Sequence, residues 1–560
     1  MEYNFGPDRN PIERSHDPTL PELVSGDITV LMPASHWARA FTVTKSDVDF
    51  IAGLLLEREV PLSTQALARA LVEERLSREA DAIRERYKDS LPYNPSATYT
   101  VGQRLVFPAL DFASGTVVQV RPGVNPDYEP FEVISVRFDD ASRNPPGRLR
   151  EFAASLSAPH RLSEANGTDL AAHFQADQLT ADEIMQAAGD DIVYTLEQTL
   201  ADTDSLVQVA GLWFPRDLLV EVNLGHLHLT EAILDINGGG PLSTADILRE
   251  IGGLGSGSPL LQEFSLNHAM RSDDRFDEVG PTGVVLWHLR RAEPEEVLNT
   301  PARLRYTPID YDRALLIPEL LELEAEINDE LSPAGSTAAP TPADEAVIAL
   351  IYPHRRAGTL PLTAAARQVF PSARQTPRVY VRLVDGQDGE AYAGWVVRKD
   401  RYVFGLSRFY RKHRLPVGAY VIVRRGEAPD EVVVDFKAHR PRTEWIRLVT
   451  AQGNQIGFEN AKRSIGAEYD DLMILGADDL EAVDELFAQT QQQKRTLPAI
   501  MRAVIPGLGR LTPQGTVHAK TIYSAVNVVR RCPPGPIFAI LVANPDFQNV
   551  GGHYWKLSDG

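Results

Sequence analysis

Two short basic runs contain the side chains of this chain that are best suited to contacting an anion. They lie at residues 353–359 and 398–401. A guanidinium group in a turn can donate two parallel hydrogen bonds to O6 and N7 of guanine, and further cations can neutralise phosphates. We therefore expect these runs to contact DNA. The candidate residues of the two runs are His354, Arg355, Arg356, Thr359, Arg398, Lys399 and Arg401.

Further cations follow the second run along the chain. They fall on a short predicted helix beside that run and at the end of the next predicted strand. Placed beside a base-reading turn, such side chains are expected to contact phosphates rather than bases. These candidates are Arg408, Arg411, Lys412, Arg414, Arg424 and Arg425.

The distribution of charge sets this part of the sequence apart from the rest. The whole chain carries a net charge of −21, but residues 374–447 contain 16 Lys and Arg against 9 Asp and Glu. Phosphate is met by one face of a protein, so a local excess of cations matters more than the total. The alternative is that this basic surface docks on the acidic remainder of the same chain.

Two motifs resemble parts of nuclease sites but are incomplete. Asp430 with Asp435 and Lys437 has the residue types of a metal-dependent nuclease, but the spacing is too short to place the carboxylates around one metal. His518 and Lys520 resemble a phospholipase-D-type motif whose later aspartate is missing. We predict no catalytic residue and no enzyme, and a nuclease with an unrecognised site is the least favoured alternative.

Metal and cofactor sites are not predicted either. His226 and His228, which we place on a strand, have no third ligand nearby in the sequence. The Gly-rich stretch at residues 252–257 lacks the Lys-Ser/Thr of a P-loop and follows a predicted helix. Cys532 is the sole cysteine, which excludes a disulfide within the chain and a thiolate zinc site.

Length and composition indicate an ordinary globular protein with several domains. A chain of 560 residues with 43% hydrophobic and 24% charged residues is expected to form roughly three to five units. There is no run of about 18 apolar residues, and the first residues are polar. We expect a cytoplasmic, prokaryotic protein that does not enter a membrane.

One pattern of helix starts occurs twice in the acidic N-terminal part. Thr44 and Asp47 predict a capping box ahead of a helix, and the residues Pro-Leu-Ser-Thr at 61–64 precede a second helical pattern. The same four residues recur at 241–244, again between two helical patterns. Two short helices joined by a tight turn are typical of a helix-turn-helix.

A second repeat consists of two strands with an aromatic residue on the returning strand. It occurs at residues 276–289 with Trp287 and at 547–557 with Trp555, and in weaker form at 206–214. Such a hairpin after a helical stretch indicates a β-wing. These stretches resemble the HARE winged-helix family, which includes the delta subunit of bacterial RNA polymerase. The resemblance implies winged-helix units, and polymerase or other proteins as partners of these acidic units.

Between these helical units the hydrophobic pattern changes to a period of two. Apolar residues alternate at 100–107, 115–121 and 131–138, with Pro and Gly between the three stretches. Short strands of this kind indicate a small SH3-like β-barrel.

The basic segment resembles the pseudobarrel DNA-binding domain of plant auxin-response factors, which is also the effector domain of some restriction enzymes. The resemblance implies that two loops grip the major groove of DNA, and the two basic runs occupy the positions of those loops. Leu406 and Ala419 depart from the pattern, where the family has tryptophan and aspartate. The residues that carry the resemblance are 358–371, Trp395, 402–405, Phe409, Leu415 and Gly418.

The sequence therefore predicts an α+β multidomain protein that binds double-stranded DNA, as a transcription regulator or as the recognition component of a defence system. The alternative is a protein–protein scaffold of winged helices that does not read DNA directly. The predicted domains are a helix-turn-helix-like unit at 1–90, the small barrel at 91–160, winged-helix units at 178–300, a helix and Pro/Ala linker at 301–345, the pseudobarrel at 346–450 and a winged-helix-like domain at 455–560.

Overall fold

The chain is an α+β protein that divides into two compact units, residues 1–218 and 219–560. In the described residues of the computed structural model the strands form six sheets. None of the helices in the described residues is both long enough and apolar enough to cross a bilayer. The structure describes residues 41–107, 110, 113–126, 128–139, 149–158, 180–333, 344–373 and 376–558, and residues 334–343 of the predicted Pro/Ala linker lie outside them.

The first unit contains a group of three helices and a three-stranded sheet, built from two separate stretches of sequence. Thr44 and Asp47 form the predicted capping box at the start of α1. The stretch 180–218 shares its core and its sheet with residues 41–87, so the segment predicted as 178–300 is divided after Leu218. The elements are α1 (Lys45–Arg58), β1 (Leu62–Ser63), α2 (Thr64–Tyr87), α3 (Ala181–Ala201), β7 (Leu206–Val209) and β8 (Leu212–Pro215).

A five-stranded sheet lies between α2 and α3 in the sequence. The three stretches of period two form its central strands, as predicted, and the strands follow one another in chain order. Aromatic side chains fill its core, where the rings of Phe107 and Phe152 lie 4.5 Å apart. The strands are β2 (Leu91–Pro92), β3 (Arg104–Phe107), β4 (Ala113–Pro122), β5 (Glu132–Phe138) and β6 (Leu149–Ala154).

The second unit begins with another group of three helices and a three-stranded sheet. His226 and His228 lie on its first helix rather than on a strand, because Asn223 caps that helix by accepting a hydrogen bond from the backbone N–H of His226. The group comprises α4 (Leu224–Ile236), β9 (Leu242–Ser243), α5 (Thr244–Ile251), α6 (Pro259–Arg271), β10 (Phe276–Glu278) and β11 (Leu286–Leu289), followed by α7 (Glu295–Leu298) and α8 (Pro318–Ile327).

A seven-stranded, nearly closed sheet follows, with the strand order β12-β17-β18-β14-β15-β16-β13. Short helices cross its ends, and a buried cluster of apolar side chains fills its interior. Its elements are β12 (Glu345–Ala349), α9 (Tyr352–Ala357), β13 (Thr359–Pro361), α10 (Ala366–Val369), β14 (Arg378–Asp385), β15 (Ala391–Val397), β16 (Tyr402–Phe404), α11 (Ser407–Lys412), β17 (Tyr420–Arg425) and β18 (Glu431–Phe436).

The remaining part of the second unit consists of a long two-stranded ribbon and a third group of helices and strands. The ribbon strands pair over nearly their whole length, and β21 joins the same sheet. The elements are β19 (Ala438–Gln452), β20 (Gln455–Ala467), β21 (Leu475–Ala477), α12 (Leu480–Gln492), α13 (Leu497–Gly509), β22 (Val517–His518), α14 (Ala519–Val529), α15 (Pro534–Ala543), β23 (Phe547–Gly551) and β24 (Tyr554–Leu557).

The three small sheets repeat one arrangement. In each, a two-residue strand directly precedes a helix and pairs with the last strand of the group. The first residue of that short strand lies opposite a buried tryptophan in all three: Leu62 opposite Trp213, Leu242 opposite Trp287, and Val517 opposite Trp555. The repeats seen in the sequence therefore correspond to one repeated topology.

A buried ionic cluster connects the third of these groups to the seven-stranded sheet. Arg531 is fully buried, and its Nη2 lies 2.6 Å from Asp329 Oδ1 and 2.6 Å from Glu330 Oε1. Tyr523 Oη donates to Asp329 at 2.5 Å, and His354 Nε2 lies 3.1 Å from Glu330 Oε1. Burial alone would raise the pKa of Glu330, but Arg531 and His354 hold that pKa well below its usual range.

The Arg531→Met variant is expected to lower the free energy of unfolding of the second unit by about 3–5 kcal/mol, because it leaves Asp329 and Glu330 buried without their cation. Urea unfolding followed by tryptophan fluorescence measures the change. Arg502→Met is the control, since its pair with Asp546 is exposed and is expected to contribute about 0–1 kcal/mol. Equal losses in the two variants would contradict the prediction.

Candidate functional site

The first basic run does not form the predicted loop but the helix α9. Pro353 occupies the first turn of this helix, and Gly358 ends it in the left-handed conformation, with a φ of 69°. His354 and Thr359 are fully buried, with His354 Nδ1 2.9 Å from Thr359 Oγ1. Their assignment as DNA contacts is therefore a wrong prediction for this conformation, because neither side chain reaches the surface.

The two arginines of α9 pack against other parts of the second unit. Arg355 Nε donates to the carbonyl of Leu415 at 2.7 Å, and its guanidinium lies over the ring of Tyr410. Burial lowers the pKa of Arg355, and the nearby cations Arg411 and Arg356 lower it further. Arg356 forms an ion pair of 2.5 Å with Asp484. Part of the basic segment thus docks on an acidic residue from elsewhere in the chain.

Three further candidates are neutralised by carboxylates within the sheet. Lys412 Nζ lies 2.8 Å from Asp385 and 2.9 Å from Glu390, and it also pairs with Asp388. Arg408 pairs with Glu390, and Arg424 Nε lies 2.6 Å from Glu345. A cation held in this way has little charge left to offer a phosphate.

The second basic run forms the turn between β15 and β16, as expected. Arg398 Nη1 donates to the carbonyl of Thr376 and Arg401 Nη1 to the carbonyl of Glu330, both at 2.8 Å. Lys399 is exposed and has no partner among the described residues. Because backbone carbonyls carry no net charge, all three side chains of this turn keep their full positive charge.

Two other cations extend this turn into a larger surface. Arg367 Nε on α10 donates to the carbonyl of Leu362 at 3.3 Å, and the backbone N–H of Leu362 donates to the carbonyl of Arg401 at 2.8 Å, so the two arginines are close together. Arg425 at the end of β17 donates from Nη2 to the carbonyl of Gln368, the neighbour of Arg367, at 2.5 Å. We call this surface the cationic face. It consists of Arg367, Arg398, Lys399, Arg401 and Arg425.

Arg367 is absent from the sequence-based candidates, although it lies in a predicted helix. The excess of positive charge was counted from residue 374 onward, and Arg367 precedes that window. Its closeness to Arg425, which donates to the carbonyl of the adjacent Gln368, depends on tertiary structure. The available signal was an arginine shortly before the basic window with no acidic residue close to it in the sequence.

Two grooves flank the cationic face. One has a volume of 710 Å³ and is lined by Arg367, Phe370, Arg425 and their neighbours. The other has a volume of 730 Å³, and its lining includes Arg305, Lys399 and Arg401. No described carboxylate forms an ion pair with any member of the cationic face. Glu427 and Glu431 also line the first groove and Asp400 the second, so an anion approaching either groove meets unpaired cations with carboxylates nearby.

The last two candidates, Arg411 and Arg414, are exposed and belong to a different surface. Both lie at α11, and Arg411 is close to Arg355. Residues that precede the sheet in the chain also cover part of it. Trp395 and Tyr402 pack with Val297 and Leu304, and Tyr402 Oη donates to the carbonyl of Glu296 at 2.6 Å. The predicted residues therefore do not form one continuous grip.

The incomplete nuclease motifs have structural roles. His518 caps α14 by accepting a hydrogen bond from the backbone N–H of Lys520, and Lys520 pairs with Asp470 and Glu326 at 2.5 and 2.6 Å. Burial, His553 and Lys520 lower the pKa of His518 to about 4. Over the ranges that the structure describes, no group of three or more His, Cys, Asp or Glu side chains is arranged to hold a metal ion.

Comparison of the chain with models of protein families, with curated proteins and with solved structures found no match.

The cluster around Lys412 predicts a dependence of stability on pH. Burial alone would raise the pKa of Asp385, but Lys412 and His413 lower it to about 2, and Lys412 also lowers the pKa values of Asp388 and Glu390. Carboxylates with lowered pKa values stabilise the folded state above their unfolded pKa. That stability is lost as the pH falls through the folded value.

Lys412→Met removes the cation and leaves the three carboxylates to repel one another when they are ionised. We expect a larger decrease in melting temperature at about pH 7 than at about pH 3, where protonation relieves the repulsion. Differential scanning fluorimetry across this range measures the decrease. Arg411→Met, on the same helix but without a carboxylate partner, is expected to show no such trend. A decrease of equal size at both pH values would rule out this role for Lys412.

Proposed function

We propose that the chain is a DNA-binding protein that holds duplex DNA on the cationic face, as a transcription regulator or as the recognition component of a defence system. One observation carries this proposal: five cations lie together without a described carboxylate partner in a chain whose net charge is −21. Elsewhere on the same sheet, Arg408, Lys412 and Arg424 are paired with acids. Unpaired cations are what a phosphate backbone requires, because each contact releases a counterion from DNA.

The proposed interface differs in its members from the grip that the sequence predicts. The turn at residues 398–401 is retained, and Arg367 and Arg425 take the place of the buried first run. Arg398 and Arg401 are held by backbone carbonyls, which orient a guanidinium without neutralising it. A guanidinium fixed in this way is suited to a bidentate contact with guanine, while the freer Lys399 is suited to phosphate.

A second candidate function, protein binding, is favoured by the charge of the first unit. We infer that the three helix–sheet groups are winged-helix units and that the five-stranded sheet is an SH3-like barrel. The third helix of such a group is the one expected to enter DNA. In the first group that helix, α3, carries five acidic residues and no Lys or Arg, so it would repel phosphate. This group is suited to a protein partner, such as RNA polymerase.

The Lys399→Ala/Arg425→Ala double variant tests the proposed DNA interface in the full chain. We expect weaker binding to duplex DNA and a salt dependence of the affinity that is less steep by about two units, because each phosphate contact contributes about 0.9 to the slope. Fluorescence anisotropy with a labelled duplex over a series of salt concentrations gives both quantities.

The matched control is Arg408→Ala/Arg424→Ala, which removes the same charge from residues already paired with Glu390 and Glu345. Equal losses in the two double variants, or no duplex binding by the wild-type chain at low salt, would contradict the proposal. Hydrogen exchange of the complex separates the two functions. Protection is expected at residues 398–401, and protection of 181–201 by DNA would exclude the protein-binding role of the first group.

A further inference from the structure

The ribbon formed by β19 and β20 carries an exposed tryptophan that does not pack in a hydrophobic core. Trp445 is 65% exposed, whereas Trp213, Trp287, Trp395 and Trp555 are buried. Tryptophan is large and apolar, and it is highly buried on average in folded proteins. An exposed tryptophan on a regular strand therefore indicates a surface on which the ring meets another molecule.

The alternation of side chains along the ribbon separates Trp445 from the face of Ile446 and Leu448. Ile446 and Leu448 are buried, and they pack with Ile465 and Ile474. Because side chains alternate between the two faces of a strand, Trp445 lies on the face opposite to Ile446, directly across from Lys462. The two acidic residues of the ribbon, Glu444 and Glu459, lie on the face of Ile446. The face that carries Trp445 is thus free of the ribbon's own carboxylates.

A cation lies against the exposed ring. Lys462 Nζ lies 5.1 Å from the centroid of the Trp445 ring, which is a cation–π distance. Lys462 has no ion-pair partner among the described residues. The exposed Arg442 lies opposite Ile465 and therefore on the other face of the ribbon.

A cation beside an exposed aromatic ring matches the chemistry of a single-stranded nucleic acid. The ring can stack on an unpaired base, while Lys462 contacts a neighbouring phosphate. In duplex DNA the bases are stacked on one another and present only their edges. A protein partner would require a wider apolar surface, but the nearest positions on this face are the polar Thr443, Ser464 and Asn460.

We propose that the β19–β20 ribbon is a second nucleic-acid site, which binds single-stranded DNA or RNA by stacking an unpaired base on Trp445. Lys462 contacts an adjacent phosphate. This site shares no residue with the cationic face, so it goes beyond the proposed duplex binding and does not depend on it. Together the two sites would suit the chain to nucleic acid in which a duplex adjoins an unpaired strand.

Trp445→Ala tests the site in the full chain, with labelled oligothymidylate, oligouridylate of the same length and a duplex as probes. We expect affinity for the single strands to fall about tenfold, which corresponds to about 1.4 kcal/mol, and affinity for the duplex to stay unchanged. Trp445→Phe is expected to retain most of the single-strand affinity, since phenylalanine also stacks. The two single-stranded probes distinguish DNA from RNA as the preferred ligand.

Tyr194→Ala is the matched control, because it removes a ring that is 67% exposed on the acidic helix α3. Single-strand affinity unchanged in Trp445→Ala, or reduced equally in Tyr194→Ala, would overturn the inference. So would the absence of single-strand binding by the wild-type chain at low salt. Failure of the proposed duplex binding is distinguishable, because the wild-type chain would then bind the single-stranded probes but not the duplex.

Discussion

The geometry of the second unit depends on one buried guanidinium. Arg531 lies between Asp329 and Glu330 without contact with water, so its desolvation must be offset by direct ionic contacts. Glu330 in turn holds His354 through its side chain and Arg401 through its backbone carbonyl. The same cluster that fixes the third helix–sheet group on the sheet thus orients an arginine of the cationic face. Stability and the placement of the proposed DNA contacts have a common origin.

Much of the local structure could be predicted from the sequence, because it depends on neighbours in the chain. The capping box at Thr44 and the three strands of period two are confirmed, and the repeated tryptophans mark strands that occupy equivalent positions in three sheets. These features follow from spacing alone. Spacing could not predict which stretches share a core. Residues 41–87 and 180–218 do so, although a five-stranded sheet lies between them in the sequence.

The candidate site was predicted less well, because it too depends on residues that are distant in the sequence. A histidine and two arginines in a row are polar enough for a loop, but His354 is buried because Glu330 and Thr359 satisfy both ring nitrogens. Lys412 has no visible carboxylate neighbour in sequence, yet three reach it in the fold. Whether a cation is available to a ligand is decided by such distant partners. Of the two predicted loops, only the turn at 398–401 keeps its predicted character, and the partners of its arginines are carbonyls.

The acidic total charge and the two cationic surfaces are compatible because charge acts locally in salt solution. At physiological ionic strength the Debye length is about 8 Å, so carboxylates farther away than this are largely screened from a bound phosphate. What matters is the balance within one such distance, where Lys399 and Lys462 have no ion-pair partner among the described residues although Asp400 adjoins Lys399 in the chain. Carboxylates at greater distance still disfavour non-specific association with a polyanion. The two proposed contacts accordingly lie where cations are left unpaired, on the cationic face and on the ribbon at Trp445.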